Sequence, residues 1–491
     1  MNLYSWLEVH GKERPDKVCI KTREREITFA EFREATRRLA GALKDAGLKP
    51  GDHITMVLPN IPEFVITYMA VVGMGATVVP VNPAYTAREL AHILDDSESK
   101  GIILEKSAAE SYREVLEERS LGIVITTGEE GNFKQWLNAA PMDLGEDFPR
   151  DTVAAMVYSS GLTGYPMGAM LTHGNLHHNS DLMRTMMDCT HQDMTLTVIP
   201  LFHSFSASVN MLSMLNYGGV IYLMKRLDFK ELASAVRDAG ITAICAVPTL
   251  FFGLIHHPDV QEVDYSNVGT MIAGGSALPL QIYNDFKEKY HQELRQGYGI
   301  TEASPVCSVN RKHRVIKPET IGQTVAGVEV MVVDDNGKPL PAGQHGELLF
   351  KGANIMKGYY KRPAETSEII KDGWLYTGDL GFVDSEGYIT ITGYKKEMVI
   401  TSGFNVYSRE VEGVLNEVPG VKDSAITGVP DLMRGAIIKA YIARDNPNLT
   451  EQEIKQFSRK RLASYKNPRM IVFVDEIPRD AHGKVILNKL P

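Results

Sequence analysis

At 491 residues, 44% apolar and 23% charged, the chain is too long for one core and has the composition of a soluble globular protein of roughly two to four domains. A net charge of −9 argues against a global basic field for nucleic acid or an anionic membrane. Cys19, Cys189, Cys245 and Cys307 lie far apart with no C-x-x-C pair, which argues against a disulfide or zinc framework and predicts buried thiols in a reducing, cytoplasmic setting.

The opening segment, residues 1–14, carries charges and no long apolar run, so it does not read as a signal peptide. Residues 27–47 predict an amphipathic helix: Thr28 and Glu31 have capping-box spacing, Phe32, Ala35, Leu39, Ala42 and Leu43 share one face, and Gly47 ends it. Strands at 52–58, 77–81 and 101–104 alternate with helices at 63–75 and 86–95. This pattern predicts a mostly parallel sheet with helices on its faces. The most apolar stretch, 64–81, is broken by Gly73, Gly75 and Pro80 and reads as a buried helix and strand rather than a membrane span.

Residues 157–175 read V-Y-S-S-G-L-T-G-Y-P-M-G-A-M-L-T-H-G-N. Gly161, Gly164 and Gly168 stand among Ser159, Ser160 and Thr163, with Pro166 as a rigid turn, and Asn175 or Ser180 is expected to cap a following helix. Glycines let backbone N–H groups approach a polyanion, and hydroxyls add donors, so the stretch predicts a phosphate-cradling loop. No Lys-Ser or Lys-Thr follows the glycines, so it is not the common G-x-x-x-x-G-K-[ST] loop.

Strands are expected next at 194–199, 219–224, 242–247, 268–273 and 294–298, with helices at 229–239 and 280–290. Three polar clusters follow strand ends: His203, Gly274-Gly275-Ser276, and Thr301-Glu302. In an open parallel sheet such ends face one ligand crevice. From residue 320 short strands joined by Gly- and Asp-rich turns predict a small β-rich subdomain to about residue 395. A compact α+β unit follows, with the boundary at Lys395–Lys396. The fold class expected is α/β: a large N-terminal domain, residues 1–395, with parallel-rich sheets and the β-rich subdomain, and a small mobile α+β C-terminal domain, residues 396–491.

The loop resembles the signature [ST]-S-G-[ST]-T-G-x-P-K-G of the adenylate-forming superfamily, which contains acyl-CoA synthetases, peptide-synthetase adenylation domains and luciferases. Further matches fall in the family's order along nearly the whole chain. They are Pro200-Leu-Phe-His203, Gly274-Gly-Ser-Ala-Leu-Pro279, Gly297-Tyr-Gly-Ile-Thr-Glu302, Tyr376-Thr-Gly-Asp379, Ser402-Gly-Phe-Asn-Val-Tyr407 with Glu410-Val-Glu412, and Pro478-Arg479 with Gly483-Lys484.

The resemblance implies a ligase that uses ATP, Mg²⁺ and coenzyme A. A carboxylate attacks the α-phosphate, pyrophosphate leaves, and a thiol then displaces AMP. Joining two anions calls for cations and N–H donors rather than a strong base. By resemblance Lys484 bridges carboxylate and phosphate, Thr301 donates to the α-phosphate, and Glu302, a hard oxygen ligand, holds Mg²⁺. Ser159, Ser160, Gly161, Thr163, Gly164, Gly168, Gly274, Gly275, Ser276, Ala277, Gly297, Tyr298 and Gly299 surround the nucleotide. Tyr298 stacks on adenine, Asp379 takes the ribose hydroxyls, and Tyr394 stands on the ribose side. His203, Phe205 and Val247 line the acyl pocket, beside a Met- and Leu-rich stretch at 205–217 that suits a flexible apolar wall. Ser402, Gly403 and Phe404 form the thiol tunnel once the small domain swings about Lys396.

Four positions depart from the family pattern: Leu162 for Thr or Ser, Met167 for Lys, Tyr394 for Arg, and Glu397 for Asp. Losing two cations predicts weaker ATP binding or slower adenylation, by about 10- to 10³-fold. The motifs look most like those of medium- and long-chain fatty-acid–CoA ligases. An aryl or short branched acid is the alternative substrate, and a regulatory homologue that binds nucleotide or acyl-CoA is the alternative function. Partners are expected to be small molecules, with no nucleic acid, at most transient membrane contact, and a homodimer allowed.

Overall fold

A computed structural model describes residues 1–160, 166–395, 398–431, 433–478, 485–486 and 489–491, without the side chain of Ser160. The chain divides into two compact units. One comprises Met1–Pro83, Leu94–Tyr158 and Gly168–Gly393; the other comprises Ala84–Ile93, Ser159–Met167 and Tyr394–Pro491.

The first unit holds, among the described residues, a nine-stranded and a seven-stranded sheet, with a five-stranded sheet beyond them. In the nine-stranded sheet the strands Arg295–Gly299, Thr270–Ala273, Ala243–Ala246, Met194–Thr197, Val220–Leu223 and Val18–Lys21 lie side by side in parallel. Val306–Val309 and Glu26–Thr28 add antiparallel neighbours. Residues 196–294 bury one continuous core under this sheet, with Leu250, Phe251, Leu254, Ile282 and Phe286 from its helices. The seven-stranded sheet runs Gly358–Tyr359, Pro166–Thr172, Val153–Ser160, Thr77–Pro80, His53–Val57, Gly101–Glu105, Ile123–Thr127. The alternation expected between residues 52 and 104 is therefore present, and its strands pair in parallel. The five-stranded sheet, Val328–Val333, Gly346–Gly352, Trp374–Val383, Ile370–Lys371 and Ile389–Tyr394, is the β-rich subdomain read from the Gly- and Asp-rich turns.

Local signals set several element ends. Helix Phe29–Asp45 starts with the Thr28–Glu31 capping box in place. Helix His173–Ser180 differs from expectation: Thr172 is its cap and Asn175 is the third residue, reaching back to the Thr172 N–H at 2.9 Å. Ser180 is the last residue of that helix, not a cap. The expected helix at 229–239 is α-helical only over Phe229–Ser234 and continues as a π turn over Ala235–Ala239. All four cysteines are free and buried. No helix of the described residues is long and apolar enough to cross a membrane.

The second unit has a hairpin, Met398–Thr401 with Phe404–Tyr407, and a three-stranded sheet of Val421–Asp431, Gly435–Arg444 and Met470–Val474. Helices Ser408–Leu415 and Glu451–Arg459 bring Val411, Leu415 and Ile454 to the same core as Val406, Ile426, Ile438 and Ile442.

Candidate active site

The parallel strands of the nine-stranded sheet end on one edge, and the expected polar clusters leave from that edge. His203 follows Met194–Thr197, Val247 follows Ala243–Ala246, Gly274 follows Thr270–Ala273, and Thr301-Glu302 follow Arg295–Gly299. These strands are neighbours in the order 295, 270, 243, 194, so four loops remote in sequence converge. A Cβ on Gly274 would stand 3.1 Å from the Phe205 ring and 3.5 Å from the Gly297 carbonyl oxygen. The Ser204 and Thr301 hydroxyls lie 3.5 Å apart. Gly275 and Ser276 are half-buried beyond Gly274, and Ala277 is exposed.

His203 is the residue expected on the acyl side. Its Nδ1 accepts the Phe205 N–H at 3.2 Å, and burial pushes the imidazole down to about 4. The ring is therefore neutral at pH 7, with its proton on Nε2. Phe205 and Val247 are partly buried against the apolar core of the same sheet. The stretch expected to be a flexible apolar wall is a fully buried π-helix, Ser206–Leu212, followed by the helix Ser213–Tyr217. The inserted π turn carries Ser208 to the Ser304 carbonyl, where its hydroxyl donates at 2.8 Å.

Glu302 is 9% exposed, and its Oε1 accepts the Tyr359 hydroxyl at 2.7 Å. Its backbone carbonyl accepts the Met356 N–H at 2.9 Å. No cluster of three metal-ligating residues occurs among the described residues. One hard carboxylate still fits Mg²⁺, which takes most of its ligands from water and substrate phosphates. Asp379 lies on Trp374–Val383 and is 4% exposed; its N–H donates to the Thr377 hydroxyl at 2.9 Å, and its Oδ2 accepts the Tyr298 hydroxyl.

Several residues that shape this site carry no local sequence signal. Asn60 donates to the Thr197 and Ile199 carbonyls, both at 3.1 Å, and accepts the Leu201 N–H at 2.7 Å, which pins the turn into His203. Asn179 accepts the Val306 N–H at 2.9 Å and holds the turn after Glu302, while Tyr359 fixes the Glu302 carboxylate.

The glycine-rich loop is seen at its flanks. Gly161, Leu162, Thr163 and Gly164 lie outside the described residues, as does the Ser160 side chain. Pro166, expected as a turn, is instead the first residue of the strand Pro166–Thr172. Gly168 lies within that strand, and a Cβ there would stand 2.7 Å from the Met156 sulfur and 3.2 Å from the Tyr158 ring. A side chain at 168 would therefore displace the Met156 side chain. Met167 is 4% exposed, with its side chain in the protein interior.

In the second unit, Ser402 and Gly403 form the two-residue turn of the hairpin with φ of 52° and 83°, the left-handed pair of a tight hairpin. Phe404 stacks on Tyr465, with centroids 4.4 Å apart. Tyr394, at the end of Ile389–Tyr394, is 39% exposed. Lys396, expected as the hinge, its neighbour Glu397, and Arg479, Gly483 and Lys484 lie outside the described residues.

Comparison with known proteins agrees with this architecture. Residues 7–360 match the model of the AMP-binding enzyme family, and residues 410–484 match that of the AMP-binding enzyme C-terminal domain. A long-chain-fatty-acid–CoA ligase of Escherichia coli O6:H1 is 34% identical, over 94% of this chain and 89% of that protein. A feruloyl-CoA synthase of an Amycolatopsis species is also 34% identical, over 99% of this chain and 98% of its own. Among solved structures, o-succinylbenzoate CoA synthetase of Bacillus subtilis, bound to a product analogue, superposes with a TM-score of 0.88 at 26% identity, covering 99% and 97% of the two chains. ATP-bound MatB of Rhodopseudomonas palustris gives 0.76 at 30% identity, covering 100% and 98%.

The chain belongs to the AMP-binding, adenylate-forming enzymes, close to the fatty-acid–CoA ligases. Its activity is that of an ATP-dependent, AMP-forming acyl-CoA ligase, with ATP, Mg²⁺ and coenzyme A as its nucleotide, metal and acyl acceptor.

Proposed function

We propose that the acid is a medium- or long-chain fatty acid. The observation that carries this is the uncharged acyl side of the crevice: His203 is neutral, and Phe205 and Val247 rest on the apolar core. These three supply no charge for the second carboxylate of a diacid, and burying an unpaired carboxylate is costly. An aliphatic chain needs only apolar surface, at about 25 cal/mol per Å² removed from water.

In the first half-reaction a carboxylate oxygen bonds to the α-phosphorus, the bond to the bridging oxygen breaks, and pyrophosphate leaves. Mg²⁺, when bound, neutralises phosphate charge. Glu302 is the carboxylate that would hold it, with Tyr359 orienting that carboxylate. Thr301 donates to the α-phosphate, Asp379 accepts from the ribose, and Lys484 supplies the cation between the two anions. In the second half-reaction the coenzyme A sulfur attacks the acyl carbonyl and AMP leaves. AMP is already a good leaving group, so no protein nucleophile is required.

A second reading, an aryl acid, is favoured by the nearly co-extensive match to a feruloyl-CoA synthase. The test is pyrophosphate release across a series from octanoate to palmitate, with isobutyrate, 4-coumarate and ferulate alongside. A fatty acid should exceed the aryl acids in kcat/KM by at least about tenfold. The reverse order would establish the aryl reading. No release with any acid, with ATP still bound, would mark a regulatory homologue.

A further inference from the structure

Tyr298 and Asp379 lie 81 positions apart on different sheets, and the phenol donates to Oδ2 of the carboxylate. The rest of Asp379 is already fixed. Its N–H donates to the Thr377 hydroxyl at 2.9 Å, that hydroxyl donates to the Leu348 carbonyl at 2.7 Å, and the Gly378 N–H donates to Glu347 at 2.9 Å. The main chain is thus pinned, and the phenol bears on the orientation of the carboxylate. The Tyr298 ring is itself held, 5.7 Å from the Phe350 ring centroid and inclined at 31°. Burial and the Asp379 charge push the Tyr298 phenol far above its usual range, so it remains a donor at any working pH.

We propose that the Tyr298 hydroxyl is a positioning group for Asp379, orienting the carboxylate to take the ribose hydroxyls, so that one side chain couples recognition of base and sugar. This rests on the reading of Asp379 as the ribose acceptor. A carboxylate has about four lone-pair sites, so accepting the phenol does not by itself exhaust it. A carboxylate oriented before ATP arrives loses less rotational freedom on binding, and that saving appears as affinity. The phenyl face can stack on a base whether or not the hydroxyl is present, so the two contributions are separable by experiment.

The test is calorimetric titration of the full chain with Mg·ATP and with Mg·2′,3′-dideoxyATP, for the parent, Tyr298→Phe, Asp379→Asn and the double variant. The parent should prefer ATP. Tyr298→Phe should reduce that preference by at least about threefold while changing dideoxyATP affinity less than about twofold. In the Asp379→Asn background, Tyr298→Phe should have no further effect on the preference. Because the readout is a ratio measured on one sample, a partly inactive preparation does not alter it. If Tyr298→Phe leaves the preference unchanged while Asp379→Asn abolishes it, the positioning role is wrong and the ribose reading survives. If the parent shows no preference, the ribose reading itself fails and takes the proposal with it.

Discussion

Met167 shows how a motif position and its environment can disagree. By pattern it stands where the family has a lysine, and restoring that cation would be expected to lower the KM for ATP. In the folded chain the side chain is 4% exposed. An ammonium placed there must leave water, which costs several kcal/mol unless it finds a partner or loses its proton. The expected outcome for Met167→Lys is therefore a lower melting temperature with no gain in ATP affinity. A lower KM for ATP at unchanged stability would show that the side chain turns toward phosphate. Gly168 also faces the interior: a Cβ there would press on the Met156 side chain and the Tyr158 ring.

The hairpin Met398–Thr401 with Phe404–Tyr407 is an element whose turn dictates its residues. Both central positions have positive φ, and a β-branched residue at Gly403 would be strained by about 1–2 kcal/mol. Gly403→Val should lower stability by that amount. If the turn also borders the thiol path, thioester formation should fall further than acid-dependent pyrophosphate exchange in the same preparation. Equal losses in both would leave the hairpin a structural element only. Among the elements, those with strong local signals were legible in the sequence. Helix Phe29–Asp45 could be read from Thr28 and Glu31, because the capping box is a contact three residues long. For helix His173–Ser180 the sequence points to Asn175 or Ser180, but Thr172 also suits an N-terminus, and only the strand ending at Thr172 decides between them.

At the scale of the whole molecule, the second unit gathers three chain segments around one buried cation. Lys466, 1% exposed, donates to Glu89 at 2.8 Å and to Glu410 at 2.6 Å, with the Tyr85 ring centroid 4.7 Å away. Burial raises the Glu410 carboxyl above its usual range, and its Oε2 has no hydrogen-bond partner among the described residues. The ammonium is thus the compensating charge for two buried carboxylates. Lys466→Met should destabilise this unit by about 3–5 kcal/mol, because it removes one partner and leaves the others uncompensated. Hydrogen exchange over residues 398–478 is the check: protection equal to the parent's would mean the carboxylates simply take up protons at little cost.

By itself the sequence determined the succession of strands and helices, the β-rich subdomain, the buried cysteines and the order of the motifs, because each rests on periodicity, turn chemistry or short spacing. Only the tertiary structure decided how the site is held. Asn60 reaches strand ends some 140 residues away, Tyr359 clamps Glu302, Tyr298 holds Asp379, and Lys466 joins Glu89 to Glu410. These are polar contacts between residues far apart in sequence, made where burial leaves a donor or acceptor no water to turn to, and nothing in the local composition marks them.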